Sequence, residues 1–256
     1  MNGHDSPLEI RSEGRVLHLV LNGNPSGNLL NRALILALEK GLDEVEQNED
    51  YRLLTLSATG PVFCDGMDFQ EAMRTNGTAQ DELPQIVRKF YALLERLTRL
   101  PVIVAALVDG RVNAGGMGLV AACDLVYATA RSDFGLSEVL FGLVPATITP
   151  FLVRRTGFHP TYRMALTGLR LTADQARSCG LVDEIHTDPS DVIRRLRLRA
   201  ERLERRAVSQ IKHFFADQAN IGEASCLKAE KTLVALFDAA TAPENQRFIR
   251  LSDQNR

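Results

Sequence analysis

Unbroken apolar runs alternate with stretches in which apolar residues recur every three or four positions, from the N-terminal region to about Ile185. Val16–Leu21 is one such run and reads as a buried strand, and the turn-rich Asn22–Asn28 follows it. Leu34, Leu36, Leu38, Leu42 and Val45 then mark one side of an amphipathic helix from about Asn31 to Gln47. Arg52–Ala58 is expected to be a second strand. Leu83–Leu100 is expected to be a long helix carrying Ile86, Phe90, Leu93, Leu94 and Leu97 on one side. Pro101 stops it, and Val102–Val108 is a third buried strand. A short helix opens at the glycines near Gly115, and Asp124–Ala128 returns as a strand.

Alternation of this kind requires crossover connections, so the chain is predicted to build a layered α/β core. From Pro189 only helical periodicity remains, through Val192–Ala219 and Cys226–Ala240, with a break at Gly222. The expected organisation is a core over residues 1–188 that holds the active site, followed by a helical region over 189–256. No low-complexity tract and no clear internal repeat is visible in the sequence.

Composition narrows the class. The 256 residues are 45% apolar with a formal net charge of −2, which describes a soluble globular protein and argues against nucleic acid as the main partner. Arginines cluster between Arg194 and Arg206, but Glu201 and Glu204 interrupt them. A solvated helix face is the plainer reading, and a dock for a phosphate or an acidic carrier is the other. Cys64, Cys123, Cys179 and Cys226 are scattered, without a CxxC pair or a histidine at ligand spacing. Neither a metal site nor a disulfide framework is expected, and a reducing cytosol fits. Met1–Pro7 is polar and lacks the apolar core of a signal peptide, and no apolar run approaches membrane-spanning length. A cytoplasmic protein without a membrane partner is expected.

Two segments carry the candidate chemistry. Val62–Phe69 and Asn113–Gly118 each bring bare backbone to a point just after an apolar strand, and the second opens directly into a helix. Two backbone N–H groups from separate segments, one on a helix N-terminus, are what a thioester-derived oxyanion needs. The glycines do not fit GxGxxG, and no acidic ribose-binding residue follows at the expected offset, which argues against a dinucleotide site. Taken alone, Gly115-Gly116 is as readily a device for packing a helix against a strand.

Cys64 reads as a small buried apolar residue, and Asp68 as an N-cap for the helical pattern of Phe69–Met73. Asp65 is either a turn residue or a group facing the substrate. Glu138, flanked by Leu136, Val139, Leu140 and Phe141, would be partly desolvated, which moves its pKa toward the working range of an acid/base. Ser137-Glu138 equally suits an ordinary helix start. His159 and His213 have no partners in sequence, and surface or core-edge positions suit both.

Together these residues resemble the enoyl-CoA hydratase/isomerase (crotonase) superfamily over essentially the whole chain. The matching pieces are Leu21-Asn22 through Asn28-Leu29-Leu30, Phe63–Asp68, Gly115-Gly116 with Cys123-Asp124, Phe134–Pro145, and Leu166-Thr167-Gly168 through Gly180-Leu181-Val182. The resemblance implies a spiral of ββα units with a C-terminal helical trimerisation region, assembled as a homotrimer or hexamer. It implies an oxyanion hole made by the N–H groups of Met67 and Gly115. It also implies a pantetheine and nucleotide channel lined by Pro25, Ser26, Asn28, Cys64, Asp65, Gly66 and Asp68, with Gly116 among the substrate-binding positions.

Hydratases of the family carry two glutamates. The one that acts at the α-carbon matches Glu138, whereas the one that handles water falls on Gly118. Asn113 occupies a position that is normally apolar; support of its loop is the plainer reading, and orienting the leaving hydroxyl or a distal carboxylate is the other. Thr147-Ile148-Thr149-Pro150 stands where the family usually has a Gly-rich turn.

This variant pattern is similar to the hydratase-like dehydratases of polyketide β-branching cassettes. The implied activity is removal of water from a 3-hydroxy-3-methylglutaryl group on an acyl carrier protein, giving a 3-methylglutaconyl thioester. No cofactor is implied beyond the phosphopantetheine or coenzyme A that carries the substrate. A single-glutamate enoyl-CoA isomerase and a generic hydratase are the alternatives. The sister decarboxylase fits less well, since loss of carbon dioxide needs no base at Glu138. A catalytically inactive crotonase-fold binding protein is favoured by Gly118 and opposed by Glu138 with an intact oxyanion pair.

Overall fold

The computed structural model describes residues 6–23, 27–67 and 79–241. Pro25, Ser26 and Asp68, with the helical pattern expected over Phe69–Met73, lie outside the described residues.

The chain begins with an antiparallel pair, β1 (Leu8–Glu13) and β2 (Val16–Leu21). β2 is apolar except for His18, whose Nδ1 lies 2.7 Å from Thr55 Oγ1. Asn31 caps α1 (Arg32–Gln47), its Oδ1 accepting from the Leu34 N–H at 2.8 Å. β3 (Leu53–Ala58) and β4 (Val62–Cys64) follow, then α2 (Ala79–Arg99). α2 starts before the expected Leu83 and carries Pro84 inside it; the apolar periodicity that marks the helix in sequence begins only at Leu83.

Next come β5 (Ile103–Val108), β6 (Arg111–Asn113), α3 (Gly115–Ala122), β7 (Leu125–Ala128) and β8 (Asp133–Gly135). A single 3-10 turn at Glu138–Phe141 leads to α4 (Thr149–Thr156) and α5 (Phe158–Thr167). β9 (Leu171–Thr172), α6 (Ala173–Ser178) and β10 (Glu184–Ile185) close the core. α7 (Pro189–Ala200), α8 (Arg205–Gln218) and α9 (Glu223–Thr241) complete the chain.

The strands form two sheets, one ordered β1-β2-β3-β5-β7-β10 and one ordered β4-β6-β8-β9. Each long strand hands the chain to a short one in the other sheet: β3 to β4, β5 to β6, β7 to β8. Pairing from β2 through β3, β5, β7 and β10 is parallel, as it is along β4, β6 and β8. This is the spiral of ββα units that the family resemblance implies. The repeat is one of geometry, which is why no repeated sequence betrays it. β5 is apolar along its length, and β2 apart from His18, because residues of α1 pack in the cluster on one side and residues of α7 in the cluster on the other. β4 and β6 are paired in parallel, so the loops that follow them leave from the same end of the sheet and set Met67 and Gly115 in the lining of one pocket. The Cys64–Met67 and Asn113–Gly115 segments are placed this way.

The expected helical stretch over Val192–Ala219 divides at residues 201–204, between α7 and α8. α8 is pinned to the core by Lys212, which is buried. Its Nζ donates to Asp124 Oδ2 at 2.8 Å and to the carbonyls of Val102 and Leu97 at 3.1 and 3.2 Å. Burial lowers the Lys212 pKa, and Asp124 opposes the shift. The arginines near 194–206 are engaged locally: Arg194 and Arg195 pair with Asp191, Arg195 also with Glu184, and Arg205 donates to the carbonyls of Tyr51 and Val45. α9 lies on α2, where Leu233, Val234 and Phe237 pack against Leu83 and Val87, and Arg88 pairs with Glu230. Among the described residues, no helix is long and apolar enough to cross a membrane.

Candidate active site

The two glycine segments are in backbone contact. Gly66 has φ +92, and a Cβ there would meet Ala114 Cβ at 2.7 Å and the Gly115 nitrogen at 3.0 Å. Ala114 itself has φ 45 and ψ −122, a conformation that a residue with a Cβ seldom adopts. That turn directs the chain into α3 with Gly115 as its first residue, so the Gly115 N–H has no intrahelical acceptor. Across from it, the Met67 segment is fixed by the Leu30 N–H donating to Gly66 O at 2.8 Å and by a parallel bridge between Leu30 and Met67. Among the described residues, neither the Met67 nor the Gly115 N–H has a hydrogen-bond acceptor.

The neighbouring glycines divide the work. A Cβ on Gly116 would meet Cys64 O at 2.5 Å, so Gly116 lets the helix approach the strand, and the packing reading holds for it. The Cys64 side chain is in the core with no exposed surface, in keeping with its reading as a small buried apolar residue, its thiol pushed up to about 12 by burial. Asn28 is held within its own loop. It has φ 52 and is buried, its Oδ1 accepts from the Gly23 N–H at 2.7 Å, and its Nδ2 donates to Val62 O at 2.8 Å. Both ends of its side chain hold the loop together. Asp65 does face open space, paired with Arg111.

Glu138 sits in the 3-10 turn and is only 9% exposed. Gly142, in the left-handed region at φ 72, closes the turn, and the Leu143 N–H donates to Glu138 O at 2.9 Å. Among the described residues, its Oε2 has no hydrogen-bond partner. Burial pushes the carboxyl up to about 7, with its own backbone N–H pulling the other way.

Glu138 forms a shared wall between two openings. One is a narrow apolar pocket of about 70 Å³ whose lining includes Met67, Gly115, Phe90 and Ile148, with Leu233 and Phe237 from α9. The other is a wider polar cleft whose lining includes Met67, Asn113, Ser137, Arg111 and Arg170. Glu138 and Met67 thus line both openings, whereas Gly115 lines the pocket and Asn113 the cleft. Gly118, one turn into α3, is walled off: a Cβ there would meet Ile148 Cγ2 at 2.4 Å and Leu94 Cδ1 at 3.1 Å.

Sequence reasoning missed Arg111, Arg170, Leu233 and Phe237. A single arginine in a three-residue strand or just before a two-residue one, or two apolar residues in a distant helix, carries no local signal. Their relation to Glu138 exists only after the chain is folded. Among the described residues, no group of three or more His, Cys, Asp or Glu side chains could hold a metal ion.

Chemically, the arrangement can take a proton from carbon with one carboxyl poised near neutrality. It can hold a growing negative charge on oxygen with two main-chain donors.

A family model described as enoyl-CoA hydratase/isomerase matches residues 11–245. The bacillaene synthase dehydratase PksH of Bacillus subtilis (strain 168) is 30% identical over 251 residues, covering 94% of this chain and 92% of that protein. A crystal structure of an enoyl-CoA hydratase from Mycobacterium avium superposes with a TM-score of 0.86 at 26% identity, covering 98% of both chains. The structure of pksH from Bacillus subtilis superposes with a TM-score of 0.80 at 28% identity, covering 96% of both.

Proposed function

The chain belongs to the enoyl-CoA hydratase/isomerase family, and within it we propose a dehydratase that removes water from a 3-hydroxy-3-methylglutaryl thioester on an acyl carrier protein. The product is the 3-methylglutaconyl thioester. The observation that carries this reading is the carboxyl of Glu138, the one buried carboxyl among the described residues, with an unpartnered Oε2, in the lining of the pocket that Met67 and Gly115 also line.

In this reading the thioester oxygen accepts from both N–H groups. Ionised Glu138 removes the proton at C2, and the electron pair of that C–H bond moves into the enolate. Charge on the thioester oxygen is then held by two donors, each worth about 3 kcal/mol in systems where one has been removed. The enolate collapses to the C2–C3 double bond, the C3–O bond breaks, and Glu138 returns its proton to the departing oxygen as water. The wall at Gly118 supports a route through one carboxyl, because a side chain there would press on Ile148 and Leu94. The steps are proton transfers and one elimination, and use no cofactor beyond the carrier of the thioester.

That same wall favours a second reading, an enoyl-thioester isomerase, since one carboxyl suffices to move a proton between carbons. Incubation with carrier-bound 3-hydroxy-3-methylglutarate, followed by intact mass, separates the two. Loss of one water from wild type, absent with Glu138→Gln, supports the dehydratase; an unchanged mass for this substrate together with a shifted double bond in an enoyl thioester supports the isomerase.

A cytoplasmic location and assembly of three or six copies belong to the same proposal. The exposed Ile211, Phe214 and Phe215 of α8 support burial against another copy.

A further inference from the structure

The walls on the two sides of Glu138 differ in kind, and the difference bears on which acyl groups fit. On the pocket side, Glu138 is the only ionisable residue among the described lining. An acyl carboxylate placed there would lose its water and gain no partner. On the cleft side, Arg170 is clasped by Asp133, with Nε donating to Oδ2 at 2.8 Å and Nη2 to Oδ1 at 2.5 Å. Nη2 also donates to Val112 O at 3.1 Å. These bonds fix the plane of the guanidinium and leave its Nη1 edge against Asn113, whose Oδ1 is a long 3.4 Å away. Asn113 donates from Nδ2 to Ser137 Oγ at 2.9 Å. Because that oxygen is accepting, the Ser137 hydroxyl hydrogen is available, and it has no acceptor among the described residues.

The geometry points to a carboxylate subsite in this cleft: the acid end of the acyl chain is held by the Nη1 edge of Arg170 and the Ser137 hydroxyl, with Asn113 linking the two. The inference rests on the dehydratase reading above and names the group that selects its substrate. Arg170 and Ser137 offer donors with no well-placed acceptor, which suits an anion. The Asp133 clasp orients the guanidinium in advance, so little freedom is lost on binding. Branching at C3 then sorts the substituents. The methyl group faces the apolar pocket, the carboxymethyl arm enters the cleft, and Glu138 stands between them at C2. A phosphate on the carrier has similar chemistry, so the test must separate the two anions.

The experiment measures kcat/KM for water loss from two pantetheine thioesters without phosphate, 3-hydroxy-3-methylglutaryl and 3-hydroxy-3-methylbutyryl, the second lacking the carboxylate. Wild type is expected to prefer the acid by about 10- to 100-fold, the worth of hydrogen bonds to a charged group. Arg170→Gln is expected to reduce that preference by about tenfold or more, and Arg170→Lys to restore part of it. Ser137→Ala, which leaves the Asp133 clasp intact, is expected to reduce it several-fold and serves if Arg170→Gln does not fold.

Equal losses on both substrates would make Arg170 structural and overturn the subsite. So would a wild type without preference, or, in a parallel assay of the same two acyl groups on coenzyme A, a loss for Arg170→Gln seen only there, which would assign the arginine to phosphate. Water loss from the acid with an unaltered preference across all variants removes the subsite alone. No water loss from either substrate by wild type removes the dehydratase reading with it.

Discussion

Gly66 and Gly115 touch through their backbones: a Cβ on Gly66 would stand 3.0 Å from the Gly115 nitrogen. Residues far apart in the chain are pressed together at the point where two N–H groups lack acceptors among the described residues. Donors fixed in place before a ligand arrives need no reorganisation as charge develops, which is the condition under which such donors are most effective.

Gly66→Ala tests that contact. The new methyl group would enter a backbone with φ +92 and meet Ala114 Cβ at 2.7 Å, so the two loops must part. The expected outcome is a fall in kcat of about 10²- to 10³-fold, the effect of losing one oxyanion donor. The accompanying loss of stability should be about 1–3 kcal/mol. Steady-state kinetics with a parallel denaturation curve checks both. An active, merely less stable variant would show that the donors do not depend on the contact.

Glu138 predicts a linked pH dependence of rate and stability. Its ordinary pKa of 4.5 is raised to about 7 by burial, so between these values the folded protein holds a proton that the unfolded chain has released. Stability from this group is therefore complete below about pH 4.5 and is lost as pH rises through about 7, by on the order of 3 kcal/mol. A base must be ionised to act, so kcat/KM should rise over the same window and level off above it. Denaturant unfolding of wild type and Glu138→Gln across pH 4 to 8 should show curves that diverge toward higher pH, the variant retaining more stability. Parallel curves would mean that the carboxyl is not desolvated.

Much of this was legible in the sequence because it is written locally. Val16–Leu21 and the run through Val108 announce buried parallel strands by apolar continuity, and Asn31 announces a helix start. The positive φ at Gly66 and the turn into Gly115 follow from glycine-bearing loops after apolar strands. Other elements left no such trace. β1 is exposed at every position but Leu8, so it has no apolar stripe, and its charged side chains suit the sheet edge it occupies. β4, β6 and β8 have three residues each, too few for a period to show. Arg170 reaches Asn113 and Asp133 only through the pairing of β8 with β9, a long-range fact that no window of sequence contains.

Gly118→Glu should not install a second acid. The side chain would enter where Ile148 Cγ2 stands 2.4 Å from the new Cβ, with Leu94 close behind. Overpacking there should lower stability by about 1–3 kcal/mol and leave no gain in water transfer. Adding Ile148→Ala opens the wall, so the double variant should recover stability relative to Gly118→Glu alone. Faster dehydration by the single variant would show that the wall yields, and that the one-carboxyl route follows from the missing side chain and not from the packing.

Phe237→Ala tests whether the C-terminal helix belongs to the acyl pocket. Phe237 is 5% exposed, packs with Leu233 against Leu83 and Val87, and lines the pocket beside Glu138. Its truncation should destabilise the protein by about 3–5 kcal/mol, less where α9 settles inward. It should also widen the pocket and raise KM for the thioester more than it lowers kcat, because the apolar wall contributes to binding in ground state and transition state alike. Leu227→Ala on the same helix, 39% exposed and away from the pocket, serves as the control and should change stability by less than about 1 kcal/mol with KM unaltered. If Phe237→Ala lost stability with KM unchanged, α9 would act as a clamp on α2 and no more. The pocket's selectivity would then rest on α2 and the segment around Ile148.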